Sequence, residues 1–189
     1  MDRIIIGLTG DSSKGKGAVS EILKGKGFSY FSLSDRIREQ ATLYKWSHDR
    51  KVLQDLGDKL REDFGSDILV RRTIEFPAFK HADLVVVDGI RHPAEIEYLR
   101  NVFDAKIIGV DMTDETAFAR MKERNRPGDP KTIEEYRASK ERERGEAGSN
   151  VMQVDKCLQM ADLVIWNEGN EENLKLQTEE GFHKLGIER

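Results

Sequence analysis

Short apolar runs, each bounded by glycine or aspartate, alternate along the chain with longer stretches in which apolar residues recur every three or four positions. "RIIIGL" (3–8) reads as a buried strand, and "KGAVSEILKGKG" (16–27) as a helix stopped by Gly25 and Gly27. "FSYFSLS" (28–34) predicts a second strand. Several helices are expected over about 35–80, with Leu53, Leu56, Leu60 and Phe64 sharing one face and Pro77 breaking the last of them. "ADLVVVDG" (82–89) predicts a third strand whose centre, Leu84 to Val87, is fully apolar, as a central parallel strand is. "PAEIEYLRNVF" (93–103) predicts a helix, "AKIIGVDM" (105–112) a fourth strand and "DETAFARMKERN" (114–125) a helix with an Asp or Thr cap. "RPGDPK" (126–131) is a turn, and 132–148 is so charged that it is expected to bury little. "VMQVDKCLQMA" (151–161) is helical, "DLVIW" (162–166) a fifth strand, and "EENLKLQTEEGFHKLG" (171–186) a closing helix. Five strands separated by helices predict an α/β fold with a parallel sheet covered on both faces. Two helical inserts stand outside that sheet and have the look of movable lids.

Composition narrows the classes. The 189 residues suffice for one domain with a core. Charged residues make up 35% and apolar ones 38%, which fits a soluble globular protein. A formal net charge of −4 disfavours nucleic-acid binding by bulk electrostatics. The single cysteine, Cys157, excludes an internal disulfide, fits a reducing cytoplasm and reads as a small buried hydrophobe. The N-terminal apolar run is too short for a signal peptide, and no stretch approaches the ~20 apolar residues of a membrane span.

Chemistry enters at "GDSSKGKG". Gly10 and Gly15–Lys16 have the spacing of a phosphate-binding loop, with an apolar strand running in and a helix running out. Backbone N–H groups at such a junction form an anion nest, and Lys16 would reach the β- and γ-phosphates. Ser13, Lys14, Gly17 and Ala18 complete the expected ATP-binding stretch. Position 17 ordinarily carries the hydroxyl that ligates magnesium; here it is glycine, followed by Ala18. Lys14 either adds charge toward the phosphates or points to solvent. Asp35 and Arg38 follow the second strand, at the carboxyl edge where open α/β sheets bind ligands. Asp35 is a candidate for orienting Mg²⁺ or an acceptor oxygen, and Arg38 for forking a phosphate. Asp88 ends the third strand and is placed to hold Mg²⁺ through water; Arg91 would face the acceptor phosphate. His92 reads as a loop residue only. Arg120, Arg124 and Arg126 would supply positive charge over a transferring phosphoryl group. The "ERER" run, Glu141 to Arg144, reads as a solvated helix face, with Arg142 as a lid arginine the alternative.

The ensemble GLTGDSSKGKG, FSLSDRIRE, LGDKLREDFGSDIL, VVVDGIRHPAEIEYLR, NRPGDPKTIEEY and ADLVIWNEGNEENL resembles the small P-loop nucleoside-monophosphate-kinase-like proteins. In particular it is similar to an archaeal and bacterial group of adenylate-kinase-like and dephospho-coenzyme A kinase-like small ATPases, in order over nearly the whole chain. The resemblance implies a P-loop NTPase three-layer fold: a core (1–35, 81–120 and 150–189), a helical acceptor-binding insert (36–80) and a lid (about 121–149). Gly17 fits the adenylate kinase pattern Gly-Lys-Gly-Thr; Ala18 departs from it, standing where the family Thr offers a hydroxyl to the α-phosphate. Lys140 is a further departure, at a position expected to be acidic. Asn167 and Gly169 would lie near the adenine. The implied activity is ATP- and Mg²⁺-dependent phosphorylation of a nucleoside or deoxynucleoside monophosphate by a cytoplasmic monomer or dimer, without nucleic acid or membrane partners. Two alternatives stand beside it: a dephospho-coenzyme A kinase with Asp35 as general base, and a nucleotide-binding switch or interaction module with a weakened loop.

Overall fold

A computed structural model describes residues 3–125, 129–144 and 151–187, except for the side chains of 142–144. Five strands form one parallel sheet: β1 (Ile4–Thr9), β2 (Ser29–Ser32), β3 (Leu84–Ile90), β4 (Lys106–Asp111) and β5 (Leu163–Trp166), in the order β2-β3-β1-β4-β5. Successive side chains of β1 point to opposite faces, so Ile5 and Ile6 serve two different cores. On one face Ile6, Leu8, Val86, Ile108 and Val110 pack against α1 (Lys16–Gly25) and α10 (Glu171–Lys184). On the other, Ile5, Val85, Val87 and Ile107 pack under α2 (Leu33–Leu43), α3 (Arg50–Phe64), α4 (Ile68–Ile74), α5 (Pro77–His81), α6 (Pro93–Phe103) and α9 (Val154–Gln159). Cys157 is buried in this second core, as its sequence context implied, and burial followed by the Glu95 charge pushes its thiol up to about 12.

The helical expectations for 35–80 hold with three adjustments. β2 stops at Ser32, so Asp35 lies in the first turn of α2 rather than beyond a longer strand. Leu56 and Leu60 are buried and Leu53 half-buried, but Phe64, at the last turn of α3, is 52% exposed beneath the Arg72 guanidinium. Pro77 starts α5 instead of ending a helix, because its fixed φ and missing N–H cost nothing at a first helical position.

The charged segment after residue 132 corrects the expectation that it buries little. α7 (Asp114–Arg124) and α8 (Ile133–Arg144) close a small apolar cluster of Met112, Ala117, Met121 and Tyr136, and Tyr136 is only 1% exposed. His92 is likewise more than a loop residue. It caps α6, its Nδ1 accepting from the Ala94 N–H at 3.1 Å. Among the described residues no helix is long and apolar enough to cross a membrane.

Candidate active site

Parallel strands place every carboxyl end on one edge, and the register decides what meets there. Ser32 of β2 and Leu8 of β1 both lie level with Asp88 of β3. Beyond Thr9 the chain turns at Gly10, with φ 136°, where an added Cβ would sit 2.3 Å from the Val110 carbonyl oxygen. Only glycine lets the loop leave β1 so close to β4. At Gly15, with φ 99°, a Cβ would sit 1.9 Å from the Asn167 Nδ2. Gly15 is also the N-cap of α1 and brings no side chain to it, so no capping side chain covers the first turn, where a helix N-terminus favours an anion. Gly17 and Ala18 are exposed on that turn. The Lys16 ammonium folds over the loop, donating to the carbonyls of Gly10 at 2.8 Å and Asp11 at 2.9 Å.

The loop opens onto a cleft of about 960 Å³ whose walls include Lys16, Asp35, Arg38, Asp88, Arg91 and Arg124. The two arginines reach the loop from opposite sides. Arg91 Nη2 donates to Ser12 Oγ at 2.9 Å, and Arg124 Nη2 to Ser13 Oγ at 3.0 Å. Arg124 is also held by Asp129 through two hydrogen bonds, at 3.0 and 3.1 Å. Arg38 and Asp35 pair with each other at 2.9 Å on the exposed rim. Tyr30, which the sequence reading missed, lies beside Asp88 and donates to its Oδ2 at 2.9 Å. Burial first, then the Asp88 charge, holds the Tyr30 hydroxyl well above its ordinary pKa, so it stays a donor. Asp88 Oδ1 is buried without a hydrogen-bond partner among the described residues. An oxygen left so fits a water-mediated hold on a divalent ion. Among the described residues no cluster of three His, Cys, Asp or Glu could hold a metal alone, so nucleotide phosphates and water would complete such a shell.

Lys14 does neither thing expected of it. Its ammonium is 2% exposed and turned out of the cleft, bridging Asp111 at 3.2 Å and Asp114 at 3.0 Å and donating to the Met112 carbonyl. The acids at the end of β4 and the start of α7 draw it there. Lys140 completes the network: 6% exposed, it pairs with Asp11 at 2.9 Å and Asp114 at 2.7 Å. This explains a base at position 140, because the acids it answers come from other elements. Burial works against the charges, but the hydrogen bonds and fields of the partners prevail. Lys140 is held above the ordinary lysine range and Asp114 below the ordinary carboxylate range.

Arg120 also differs from its expected place over the phosphates. It donates to the Asn167 carbonyl at 3.0 Å and the Gly169 carbonyl at 2.6 Å, fastening α7 to the loop after β5. Glu168 accepts from Thr116 Oγ1 at 2.6 Å and from the Thr113 N–H, which holds its carboxyl below the ordinary range. Asn167 Nδ2 donates to the Lys14 carbonyl at 3.3 Å, so this loop braces the phosphate-binding loop. Arg126 lies outside the described residues.

The sheet order, the glycine loop entering α1 and the cleft above the carboxyl edge define the P-loop kinase type of α/β fold. A structure of TT1252 from Thermus thermophilus superposes with a TM-score of 0.62 at 22% identity, covering 98% of this chain and 99% of that one. Shikimate kinase from Bacteroides thetaiotaomicron gives 0.62 at 13% identity, covering 97% and 98%. At these identities the likeness is one of fold. In sequence, the chain is 31% identical to a UPF0200 protein of Methanothermobacter thermautotrophicus, over 98% of this chain and 92% of that one. It is 32% identical to a UPF0200 protein of Methanoculleus marisnigri, over 96% and 97%. The chain belongs to the UPF0200 family. No family model matches it.

Proposed function

We propose that the protein is an ATP- and Mg²⁺-dependent phosphotransferase whose acceptor is a nucleoside or deoxynucleoside monophosphate. The observation that carries this reading is the placing of Arg91 and Arg124 on the two serines of the glycine loop, beside Lys16 and across an open cleft. Phosphoryl transfer demands positive charge around the migrating group and little covalent chemistry from the protein. ATP enters with its phosphates in the loop and at the N-terminus of α1, and Lys16 exchanges its two loop carbonyls for phosphate oxygens. An acceptor phosphate oxygen attacks the γ-phosphorus in line; the bond to the β–γ bridging oxygen breaks, and ADP leaves. Magnesium, when bound, would neutralise phosphate charge, with Asp88 as its indirect holder and Tyr30 fixing that carboxylate. Arg38 and Arg91 grip the acceptor between the core and the 36–80 insert, and the lid segment, about 121–149, excludes water. Asn167 and Gly169 border the adenine.

A second reading places a hydroxyl acceptor, such as the ribose of dephospho-coenzyme A, in the same cleft. The Asp35 carboxylate, half-exposed on the cleft wall, favours it, because it could accept the hydroxyl proton. Shikimate kinase and gluconokinase are names carried by structural relatives, so both acids belong in the assay. The test measures ADP formation from Mg·ATP with nucleoside monophosphates, dephospho-coenzyme A, shikimate and gluconate. Stimulation by a monophosphate supports the first reading, and stimulation only by a hydroxyl acceptor supports the second. Tight ATP binding with no acceptor-stimulated turnover would leave a nucleotide-binding switch, in keeping with the missing hydroxyl at Ala18.

A further inference from the structure

Below Arg91 lies a charge pair that the reading above does not use. Arg61, on α3 of the insert, is 2% exposed, and Glu95, on α6 of the core, is 0% exposed. Arg61 donates to Glu95 Oε1 from Nε at 3.3 Å and from Nη2 at 3.1 Å. The other carboxylate oxygen, Oε2, accepts the backbone N–H of Arg91 at 2.8 Å and of His92 at 3.1 Å. One carboxylate therefore joins the insert, through Arg61, to the backbone that aims Arg91. A third tie fixes the same residue, since the Arg91 carbonyl accepts the Gln153 N–H at 2.7 Å. Arg61 itself lines the cleft, as do Gly57 and Leu69 of the insert.

A buried ion pair adds little stability over apolar residues of similar size, because desolvating both charges offsets their attraction. Packing already ties the insert to the core, since α3 packs on α4 and α4 on α6, with Leu56, Leu60, Leu69, Ile96 and Leu99 in one core. What the pair adds is geometry at one place. It sets the insert against the residue that reaches the glycine loop at Ser12.

We infer that Arg61 and Glu95 are positioning residues, which lock the insert to the Arg91 backbone so that an anionic acceptor meets a preset Arg91. The inference rests on the proposed function and names which of the two substrates depends on the pair: the acceptor, and not ATP. The test compares the wild-type protein with Arg61→Met, Glu95→Gln and the double variant carrying both. Arg61 also pairs with Asp58 at 3.6 Å, so Arg61→Met strands the Glu95 carboxylate and takes a partner from Asp58, whereas Glu95→Gln leaves Arg61 with Asp58. Each single change should lower the thermal midpoint, Arg61→Met the more. The double variant removes both buried charges and keeps a side-chain oxygen for the Arg91 and His92 N–H groups. It should be more stable than Arg61→Met, though below the wild type, because Asp58 still loses its Arg61 contact. Its KM for the acceptor should nonetheless rise at least tenfold, while its KM for ATP stays within twofold. A double variant more stable than Arg61→Met but with a wild-type acceptor KM would overturn the inference and leave the proposed function standing. So would equal losses for both substrates, or a double variant no more stable than Arg61→Met, since either would mark the pair as merely structural. Absence of acceptor-stimulated turnover in the wild type would overturn the proposed function and this inference with it.

Discussion

Gly10→Ala tests the geometry of the glycine loop without touching a charged group. The added Cβ would lie 2.3 Å from the Val110 carbonyl oxygen, against the 3.0 Å below which such contacts are essentially never seen. The obstacle is backbone of the neighbouring strand β4, so no side chain can swing aside. The φ of 136° adds strain of about 1–3 kcal/mol for an L-residue. Overpacking of this kind adds roughly another 1–3 kcal/mol. A total of about 4 kcal/mol is a large share of the 5–15 kcal/mol by which domains are stable, and lowers the midpoint on the order of 10 °C. The shift comes from the loop moving away from β4, so ATP affinity should fall at least tenfold as well. Gly17→Ala is the control: its Cβ meets nothing within 4 Å and its φ is ordinary, so the midpoint should hold or rise slightly with helix propensity. Thermal unfolding and calorimetric titration with ATP read both effects. A Gly10→Ala protein with the wild-type midpoint and affinity would show that the loop does not depend on this close approach to β4, as would a Gly17→Ala protein destabilised as much.

Three further outcomes follow from the same structure. Ala18→Thr restores a hydroxyl on the exposed first turn of α1; one added hydrogen bond of about 0.5–1.5 kcal/mol should tighten ATP binding roughly two- to tenfold, read by titration. Lys140→Ala removes one charged partner each from buried Asp11 and from Asp114, and should cost about 3 kcal/mol, or about 6–12 °C in midpoint, read by thermal unfolding. The network also fixes a pH profile. Asp114 and Glu168 have folded pKa values below their unfolded ones, so the unfolded chain binds more protons as pH falls; their contribution is complete above about pH 5 and lost on acidification through the folded pKa. Lys140 is shifted upward, so its contribution is complete below its unfolded pKa of about 10.4 and lost as pH rises through the folded one. The wild-type midpoint should therefore stay level between about pH 5 and pH 8 and fall on both sides. The upward shifts of Cys157 and Tyr30 share in the alkaline fall, so Lys140→Ala should lessen it without abolishing it.

The sequence showed the sheet clearly because each strand is a short apolar run with glycine or aspartate at its end, and period alone separates it from the amphipathic helices. It showed the glycine loop, Asp88 and Arg91 for a related reason: each is fixed by its position relative to a strand end. What it concealed depends on pairings between distant elements. Nothing near Lys14 in the chain announces that Asp111 and Asp114 will capture it, across about a hundred positions. Tyr136 and Lys140 are buried although their neighbours are charged, because α8 lays one narrow face on α7 and the loop. Arg120 has the helical spacing of a phosphate-binding arginine, yet two backbone carbonyls of the loop after β5 claim it. Arg61 and Glu95 sit inside motifs that read as ordinary amphipathic helices. A Glu three residues after His92, in a capping-box position, was the one local sign that Glu95 faces inward.

The most direct test of the account is ADP formation by the purified protein with Mg·ATP and a panel of ribo- and deoxyribonucleoside monophosphates, run beside Lys16→Ala. Lys16 lies at the centre of the loop, with its ammonium already gathered by the Gly10 and Asp11 carbonyls where phosphates would enter. Turnover should be stimulated by one class of monophosphate and fall at least a hundredfold in Lys16→Ala, a loss of about 2.7 kcal/mol or more in transition-state stabilisation. Turnover that survives in Lys16→Ala, or ATP bound with no acceptor able to draw its phosphate away, would contradict the phosphotransferase reading.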